Sequence, residues 1–240
     1  ISKDVELNSL KYIRDNYSGR LVWASSCSIY GASESAELLT ESSPLNPLSL
    51  YAENKVSGEE ILKNRPNTVI FRLSTIYGCA ANGGRERFDL AINRFVIDSL
   101  TKNEITIFGG DQYRPFLNVK DAAEYFVFAA TFSEFDGKFN LYNIGETNIT
   151  IRNLANLMKE HHFPDLIIKQ KPISTSDARN YRVSFSKAVK EFGFITKYNL
   201  INEIGSMKAG YSKYNKFSSF NSIYSNEQWL KYLRSINQYN

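Results

Sequence analysis

The segment Leu21-Val22-Trp23-Ala24-Ser25-Ser26 decides the fold class of this chain, because a continuous apolar run ends there in two hydroxyl side chains. A short unbroken apolar run is typical of a strand that a parallel sheet buries on both faces. Residues 68–72 form a second buried-strand pattern, and residues 139–145 are predicted to be a third strand. The sequence therefore predicts several buried parallel strands.

Helical patterns separate these strands along the chain. They cover residues 2–17, 49–63, 88–101, 121–132, 150–161, 186–192 and 226–236, with helix caps at or near Asp121 and at Thr150. Residues 80–84 are predicted to form a turn, and residues 105–108 a short strand. Strands that alternate with helices predict an α/β fold with a mostly parallel sheet. Ligands of such sheets bind beyond the carboxyl ends of the strands, where the sequence places Ser25, Ser26, residues 73–75 and Gly145.

Composition excludes several classes of protein. The chain has 240 residues, 42% of them hydrophobic, and its 29 basic and 25 acidic side chains leave a net charge of only +4, so a nucleic-acid partner is not expected. Cys27 and Cys79 fit neither a disulfide framework nor a metal motif, and His161-His162 has no ligand near it in sequence, so no metal is expected. Reduced cysteines, the lack of a long apolar run and the lack of a leader predict a cytoplasmic protein with no membrane span.

Tyr51 and Lys55 form the first chemical motif. They lie four residues apart in a predicted helix, so their side chains are neighbours on one face. A phenol with its ordinary pKa of about 10 is a poor base at pH 7, and a nearby ammonium favours the ionised form. The pair can act as a general acid/base if it faces a substrate hydroxyl or carbonyl. The spacing alone also fits a solvated helix face, so other motifs must decide.

Four motifs occur in a fixed order. They are residues 25–31, the Tyr51–Lys55 pair, residues 71–78 and residues 114–123. This order resembles the extended short-chain dehydrogenase/reductases, the NAD-dependent epimerase/dehydratase family that acts on nucleotide sugars, over about residues 5–200. The resemblance implies a Rossmann-like doubly wound parallel sheet with a smaller C-terminal substrate lobe. It assigns residues 1–78 and 113–147 to the NAD-binding Rossmann domain, and residues 79–112 and 148–240 to the substrate-binding lobe.

The resemblance also implies roles for individual residues. Ser26 falls on the serine or threonine that hydrogen-bonds the reacting sugar oxygen, Tyr51 on the catalytic base, and Lys55 on the lysine that also holds the nicotinamide ribose. Further cofactor contacts are implied for Ser25, Leu73 and Ser74, and substrate contacts for Thr75, Arg114, Arg179 and Arg182. Arg114 matches the arginine that contacts the substrate diphosphate, a task that suits a bidentate guanidinium. For Arg179 and Arg182 a surface ion pair is the alternative reading.

Two departures from the family pattern narrow the chemistry. Cys27 and Ser28 stand where dehydratases of the family carry an aspartate and a glutamate, which disfavours a 4,6-dehydratase. Asp89 stands where many relatives have an asparagine that faces the diphosphate. Because a carboxylate would repel phosphate, we expect either a different register or a side chain that points elsewhere.

The dinucleotide fingerprint of the family, a Gly-rich turn after the first strand, does not occur in the 240 residues. Residues 2–17 match the helix just before the Ser-Ser strand of the family. We therefore expect an N-terminally truncated Rossmann domain that lacks about 70–90 residues, at roughly 30 per strand–helix–strand step. Such a chain in isolation is expected to bind NAD weakly or not at all and to turn nothing over.

The resulting hypothesis is an NAD-dependent nucleotide-sugar epimerase that works through a keto intermediate, with NADP left open as cofactor. A nucleotide-sugar 4-ketoreductase is the alternative within the same chemistry. A non-catalytic truncated homologue that acts as a binding or assembly partner is the alternative from another class. The expected partners are a nucleotide-diphosphate sugar and a second copy of the chain, since family members often dimerise through the helix that bears Tyr51 and the helix before the Ser-Ser strand.

Overall fold

A computed structural model describes residues 3–33, 37–81, 84–172, 179–214 and 222–237. Residues 82–83 of the predicted turn, and residues 177–178 beside Arg179, lie outside this described part. Within it, no helix combines the length and apolar composition needed to cross a bilayer.

Helices and strands alternate through the described residues. The helices are α1 (Lys3–Asn16), α2 (Leu50–Leu62), α3 (Ala91–Lys102), α4 (Val119–Thr131), α5 (Ile151–His161), α6 (Ser186–Phe192), α7 (Leu200–Tyr211) and α8 (Asn226–Asn237). The strands are β1 (Leu21–Ser26), β2 (Thr68–Leu73), β3 (Thr75–Tyr77), β4 (Glu104–Phe108), β5 (Tyr113–Asn118), β6 (Phe139–Ile144), β7 (Thr147–Thr150) and β8 (Ile167–Lys171). The mixed α/β fold that the sequence predicts is confirmed.

The main sheet has the order β1-β2-β6, and both of its strand pairs are parallel. Its central strand β2 is buried from Thr68 to Arg72, as its apolar run predicts. The register aligns the strand ends, because Ser26 lies opposite Leu73 and Leu73 lies opposite Ile144. The three carboxyl ends therefore form one row.

Two smaller sheets complete the described structure. Strands β3, β5 and β7 form the first, with β3 parallel and β7 antiparallel to β5. Strands β4 and β8 form a parallel pair. Separate apolar clusters pack against the main sheet and the first of the smaller sheets. One cluster joins β2 and β6 to α4, and another joins β3 and β5 to α3, α5 and α7.

The structure corrects some details of the sequence analysis. Asn118 caps α4 by accepting a hydrogen bond from the Lys120 amide, whereas Asp121 accepts from the Lys197 and Tyr198 amides. Helix α3 begins after Leu90, because the apolar Phe88 is fully buried outside the helix and packs against Tyr211 and Tyr224. The sequence analysis also did not predict β7, β8 or α7.

Candidate active site

The two serines at the end of β1 have different surroundings. The hydroxyl of Ser25 is buried and donates a 2.5 Å hydrogen bond to Glu59 Oε1 on α2. Ser26 is less buried, and its Oγ accepts from the Ser28 amide at 3.2 Å, which caps a short 3₁₀ turn over Cys27–Tyr30. Ser26 is thus the serine that lies at the open end of the sheet.

The thiol of Cys27, next to Ser26, is fully buried and donates to the Arg72 carbonyl at 3.1 Å. Burial raises the pKa of this thiol to about 12. The thiol therefore stays protonated near neutral pH and is not a nucleophile.

Helix α2 presents Tyr51 and Lys55 as its sequence predicts. Ser49 caps the helix by accepting a 3.2 Å hydrogen bond from the Ala52 amide, which fixes its first turn. Tyr51 is 56% exposed, so a ligand can reach its phenol. The Lys55 ammonium lies 5.6 Å from the centre of the Tyr51 ring and 4.7 Å from the Trp23 ring on β1. The two side chains therefore lie on one face of α2, as their spacing of four residues predicts.

A pocket of about 380 Å³ begins where β2 ends. Thr75, Asp89, Arg114 and Arg179 line it together with apolar side chains that include Phe95 and Phe108. The Arg114 guanidinium is nearly buried and donates to the carbonyls of Tyr113, at 2.9 Å, and Arg179. Besides Ser26, which does not line this pocket, four substrate contacts were predicted, and three of them, Thr75, Arg114 and Arg179, lie in it.

Arg182, the fourth predicted substrate contact, lies elsewhere. Its guanidinium packs 5.1 Å from the centre of the Tyr113 ring, in a separate open groove that Glu146 and Asn148 also line. The structure thus separates the two arginines of the late segment, Arg179 and Arg182.

Asp89 lines the pocket, yet its charge is compensated. Its carboxylate accepts from the Arg87 guanidinium at 2.7 Å and from the Asn226 amide at 3.0 Å. Burial alone would raise the pKa of Asp89, but these hydrogen bonds outweigh it and the pKa lies below its usual value. The carboxylate is therefore tied to Arg87 and to the start of α8, which removes the expected conflict with a phosphate.

The row of strand ends connects these parts of the site. Ser26 lies opposite Leu73, Ser74 follows Leu73, and Thr75 already lines the pocket. The hydroxyl oxygen of Ser74 is buried and has no hydrogen-bond partner among the described residues. Gly145, at the end of β6, lets the chain pass close to Ser74, because a Cβ there would lie 2.3 Å from Ser74 Oγ. The Ser26 end of the sheet and the pocket are therefore parts of one edge.

The sequence analysis missed a buried polar network behind this edge. Glu59 of α2 forms a two-pronged ion pair with Arg72 of β2, with contacts of 2.7 Å and 3.0 Å. The remaining Arg72 nitrogen donates to Tyr30 Oη at 2.8 Å and to the Glu41 carbonyl at 3.0 Å. One signal was present in the sequence: Glu59 follows Tyr51 and Lys55 at the same spacing of four residues.

The charge on Arg72 is secure. Burial lowers the pKa of its guanidinium, but the hydrogen bonds and charges of Glu59 and Tyr30 outweigh burial and hold the pKa above its ordinary value. A guanidinium is fully ionised in proteins, so Arg72 carries its positive charge beside the Glu59 carboxylate.

The donor chemistry of this edge fits a nicotinamide dinucleotide. An ammonium and a phenol on one helix face can hold a ribose diol, and the buried Ser74 hydroxyl follows directly after the end of β2. The guanidinium groups at the pocket suit a diphosphate.

Comparison with protein families identifies the family of the chain. A model of the NAD dependent epimerase/dehydratase family matches residues 4–145. Among curated proteins, "Uncharacterized UDP-glucose epimerase YtcB" of Bacillus subtilis is 32% identical over 121 residues, which cover 48% of this chain and 36% of that protein. UDP-glucuronate 4-epimerase 1 of Arabidopsis thaliana is 29% identical over 202 residues, 72% of this chain and 44% of that protein. The chain thus matches less than half the length of these relatives.

Solved structures share the fold. UDP-glucuronic acid 4-epimerase from Bacillus cereus, in complex with UDP-glucuronic acid and NAD, superposes with a TM-score of 0.71 at 24% identity, over 88% of this chain and 66% of that one. dTDP-glucose 4,6-dehydratase from Bacillus anthracis, in complex with NAD, gives a TM-score of 0.73 at 21% identity, over 90% and 69%. At these identities the likeness establishes a Rossmann-like fold.

Proposed function

Because the chain belongs to the NAD-dependent epimerase/dehydratase family, we propose that it carries the catalytic groups of a nucleotide-sugar epimerase. Three observations support this proposal. Ser26 and Leu73 are aligned at the carboxyl ends of β1 and β2, and Lys55 lies beside Tyr51 and over Trp23 of β1. Thr75, two residues after Leu73, lines the pocket together with Arg114. Residues 1–78 and 113–147 would form the chain's share of a Rossmann domain, and residues 79–112 and 148–240 the substrate lobe.

Tyr51 is the proposed general base and acid. In its ionised form the phenol takes the proton of a sugar hydroxyl while a hydride leaves the same carbon, and the sugar becomes a ketone. Return of the hydride to the other face, and of the proton from Tyr51, gives the epimer. The Lys55 ammonium lies beside the phenol, and the Ser26 hydroxyl would hydrogen-bond the reacting oxygen and orient it.

NAD, when bound, accepts and returns the hydride. Tyr51 and Lys55 would hold its nicotinamide ribose, and Ser25, Leu73 and Ser74 would lie against the nicotinamide. Ser25 is the least exposed of these candidates, since its hydroxyl is committed to Glu59. Its contribution is therefore to the shape of the site.

The pocket of Thr75, Arg114 and Arg179 is the proposed site of the nucleotide diphosphate. Arg114 is held in place by backbone carbonyls, which reduces the entropy lost when it binds an anion. Arg182 lies in the neighbouring groove and would act on the substrate only at a distance from this pocket.

A nucleotide-sugar 4-ketoreductase uses the same groups and remains the second candidate. It differs in its net use of reduced cofactor, because a ketoreductase consumes one NADH or NADPH for each keto sugar, whereas an epimerase consumes none. A non-catalytic binding partner in the cytoplasm is the third candidate, and a homodimer through α1 and α2 is proposed for all three.

The test uses protein expressed from its complete reading frame, assayed with UDP-glucose and UDP-glucuronate plus catalytic NAD. Formation of the 4-epimer without net NADH change supports the epimerase, and loss of the activity in Tyr51→Phe but not in Tyr232→Phe assigns the base. Net oxidation of NADH by a 4-keto sugar identifies the ketoreductase instead. Absence of both turnover and cofactor binding would leave only the binding partner.

The 240-residue chain itself is proposed to bind NADH weakly or not at all. A fluorescence titration of this chain with NADH, with Lys55→Ala as the control, checks that. Saturable binding that Lys55→Ala abolishes would contradict the proposal and mean that the chain, or its dimer, forms a complete cofactor site.

A further inference from the structure

The Arg72–Glu59 ion pair lies in an unusual place for two charges. Both residues are nearly buried, with 4% and 7% of their surfaces exposed, and both carboxylate oxygens of Glu59 accept from the guanidinium. Burying an ion pair is expensive, and such a pair adds little stability over well-packed apolar side chains. The effect of the pair on the positions of its neighbours is more informative than its effect on stability.

Arg72 holds the segment that carries Tyr51 and Lys55 at both ends. At the far end it binds the Glu59 carboxylate, one turn beyond Lys55. At the near end it binds the carbonyl of Glu41, before α2 begins, and the Glu41 carboxylate accepts from the Asn143 amide of β6 at 2.8 Å. One side chain of the central strand thus fixes a segment of about twenty residues at two points.

The same carboxylate connects α2 to the Ser-Ser end of β1. Glu59 Oε1 accepts from both Arg72 Nε, at 3.0 Å, and Ser25 Oγ, at 2.5 Å. Ser25 immediately precedes Ser26, so the positions of Ser26, Tyr51 and Lys55 all depend on one buried pair.

We propose that Arg72 and Glu59 are positioning residues that set the register of α2 against β1, and so place Tyr51 and Lys55 relative to Ser26. Their effect on catalysis rests on the function proposed above. Their effect on the position of Lys55 does not, because it concerns contacts within the chain.

Trp23 supplies a local readout of that register. Its ring lies under the Lys55 ammonium, and it lies so close to Gly58 of α2 that a Cβ there would come within 2.5 Å of the indole. The chain has two tryptophans, so Trp229→Phe leaves Trp23 as the sole tryptophan, which excitation at wavelengths that tyrosine does not absorb selects. A shift of α2 changes both the cation and the packing at this indole.

The experiment measures Trp23 emission and acrylamide quenching in the Trp229→Phe background, well below each melting temperature. The Lys55→Met variant shows which emission and quenching Trp23 has when the ammonium over its ring is removed. Arg72→Met and Glu59→Gln are expected to move the emission and quenching of Trp23 toward those of Lys55→Met. Arg72→Lys keeps the charge but loses the two-pronged hydrogen bonding of the guanidinium, so its values are expected to lie between those of the parent and of Arg72→Met. Arg65→Met is the matched control, since Arg65 is 5% exposed and binds the Gly19 carbonyl at the opposite end of the sheet.

A merely structural role lowers the melting temperature of all these variants but leaves the native signal of Trp23 unchanged. Parent-like emission and quenching in folded Arg72→Met and Glu59→Gln would therefore overturn the proposal. Should Arg72→Met not fold, Glu59→Gln decides alone, and Arg72→Lys decides if neither folds.

Protein from the complete reading frame adds the catalytic arm. Glu59→Gln is expected to lower kcat about tenfold or more, since small displacements of reacting groups are costly. KM for the nucleotide sugar is expected to stay within about twofold, because the pocket around Arg114 is untouched. If the parent shows no turnover, the proposed function fails, while the Trp23 measurement still tests the positioning.

Discussion

The Lys55 ammonium lies 2.6 Å from Glu6 Oε1, so the helix with the proposed acid/base pair is joined to α1 by an ion pair. The Lys55 side chain is only 12% exposed, and the Trp23 ring covers one side of the ammonium. The Lys55 ammonium, which lies beside the Tyr51 ring, is therefore held on two sides, by a carboxylate from α1 and by an indole from β1.

Glu6→Gln is expected to lower the free energy of unfolding by about 1 kcal/mol or less, because the pair is half-buried and Lys55 keeps its contact with Trp23. Urea denaturation at low and high salt checks this, and the difference is expected to shrink in 1 M salt. Glu60→Gln is the matched control, since its 3.4 Å pair with Lys63 is largely exposed. An effect in the control as large as that in Glu6→Gln would contradict the assignment.

Arg114→Met is expected to weaken binding of uridine diphosphate about tenfold or more, because a charge-assisted pair to the phosphates is lost. Calorimetry with the nucleotide and either variant measures this. Arg182→Met is expected to bind like the parent, since Arg182 lies in the other groove. Equal losses in both variants would show that the pocket does not hold the diphosphate.

Glu146 predicts a pH dependence of stability. Its carboxylate accepts from Tyr77 Oη at 2.6 Å and from the Leu200 amide at 2.8 Å, and burial, aided by the nearby charges of Asp121 and Glu203, raises its pKa above the ordinary value of 4.5. The folded chain thus takes up this proton at a higher pH than the unfolded chain. The contribution of Glu146 therefore falls as pH rises from about 4.5 through the raised pKa, and is constant above it.

Glu146→Gln isolates this contribution, because every other titrating group is common to both proteins. We expect the variant to gain stability relative to the parent as pH rises through that window. Urea midpoints measured from pH 4 to pH 8 check the sign. A difference that is constant with pH would show that Glu146 titrates alike in the folded and unfolded chains.

Gly58→Ala is expected to destabilise the chain despite the better helix propensity of alanine, which is worth about 1 kcal/mol. The new Cβ would lie 2.5 Å from the Trp23 ring and 3.0 Å from Leu10, and such overpacking costs roughly 1–3 kcal/mol. Thermal unfolding measures the balance. Ser57→Ala, one position earlier on α2, is the control and is expected to be neutral or slightly stabilising.

Strong local patterns made the main sheet predictable. The apolar runs of β1 and β2, the strand pattern of β6 and the Thr150 cap were readable because each depends on neighbouring residues. Strand β8 was missed because its burial is slight and its Ile-Ile-Lys-Gln-Lys sequence resembles a loop. Helix α7 was missed although its sequence carries a local signal. The side chain of Asn199 caps the helix by accepting from the Ile201 and Asn202 amides.

The individual residues of the candidate site were predicted from the sequence, but the buried ion pair behind them was not. The spacing of Tyr51 and Lys55 is local, so sequence periodicity reveals it. The pairing of Glu59 with Arg72 depends on how α2 lies across β2, which no local pattern encodes. The same holds for Arg179 and Arg182, which are three residues apart yet line different depressions.

The central position of β2 has a consequence for how the chain folds. Its two partner strands come from segments about 50 residues earlier and about 70 residues later, so the main sheet consists of non-local pairings, which form slowly. During synthesis the N-terminal part emerges well before β6, and the Glu41 carboxylate has no Asn143 amide to bind until then. The segment from Glu41 to the start of α2 therefore gains its hydrogen bond to the main sheet only after β6 has been synthesised, whereas Glu59 can pair with Arg72 before that.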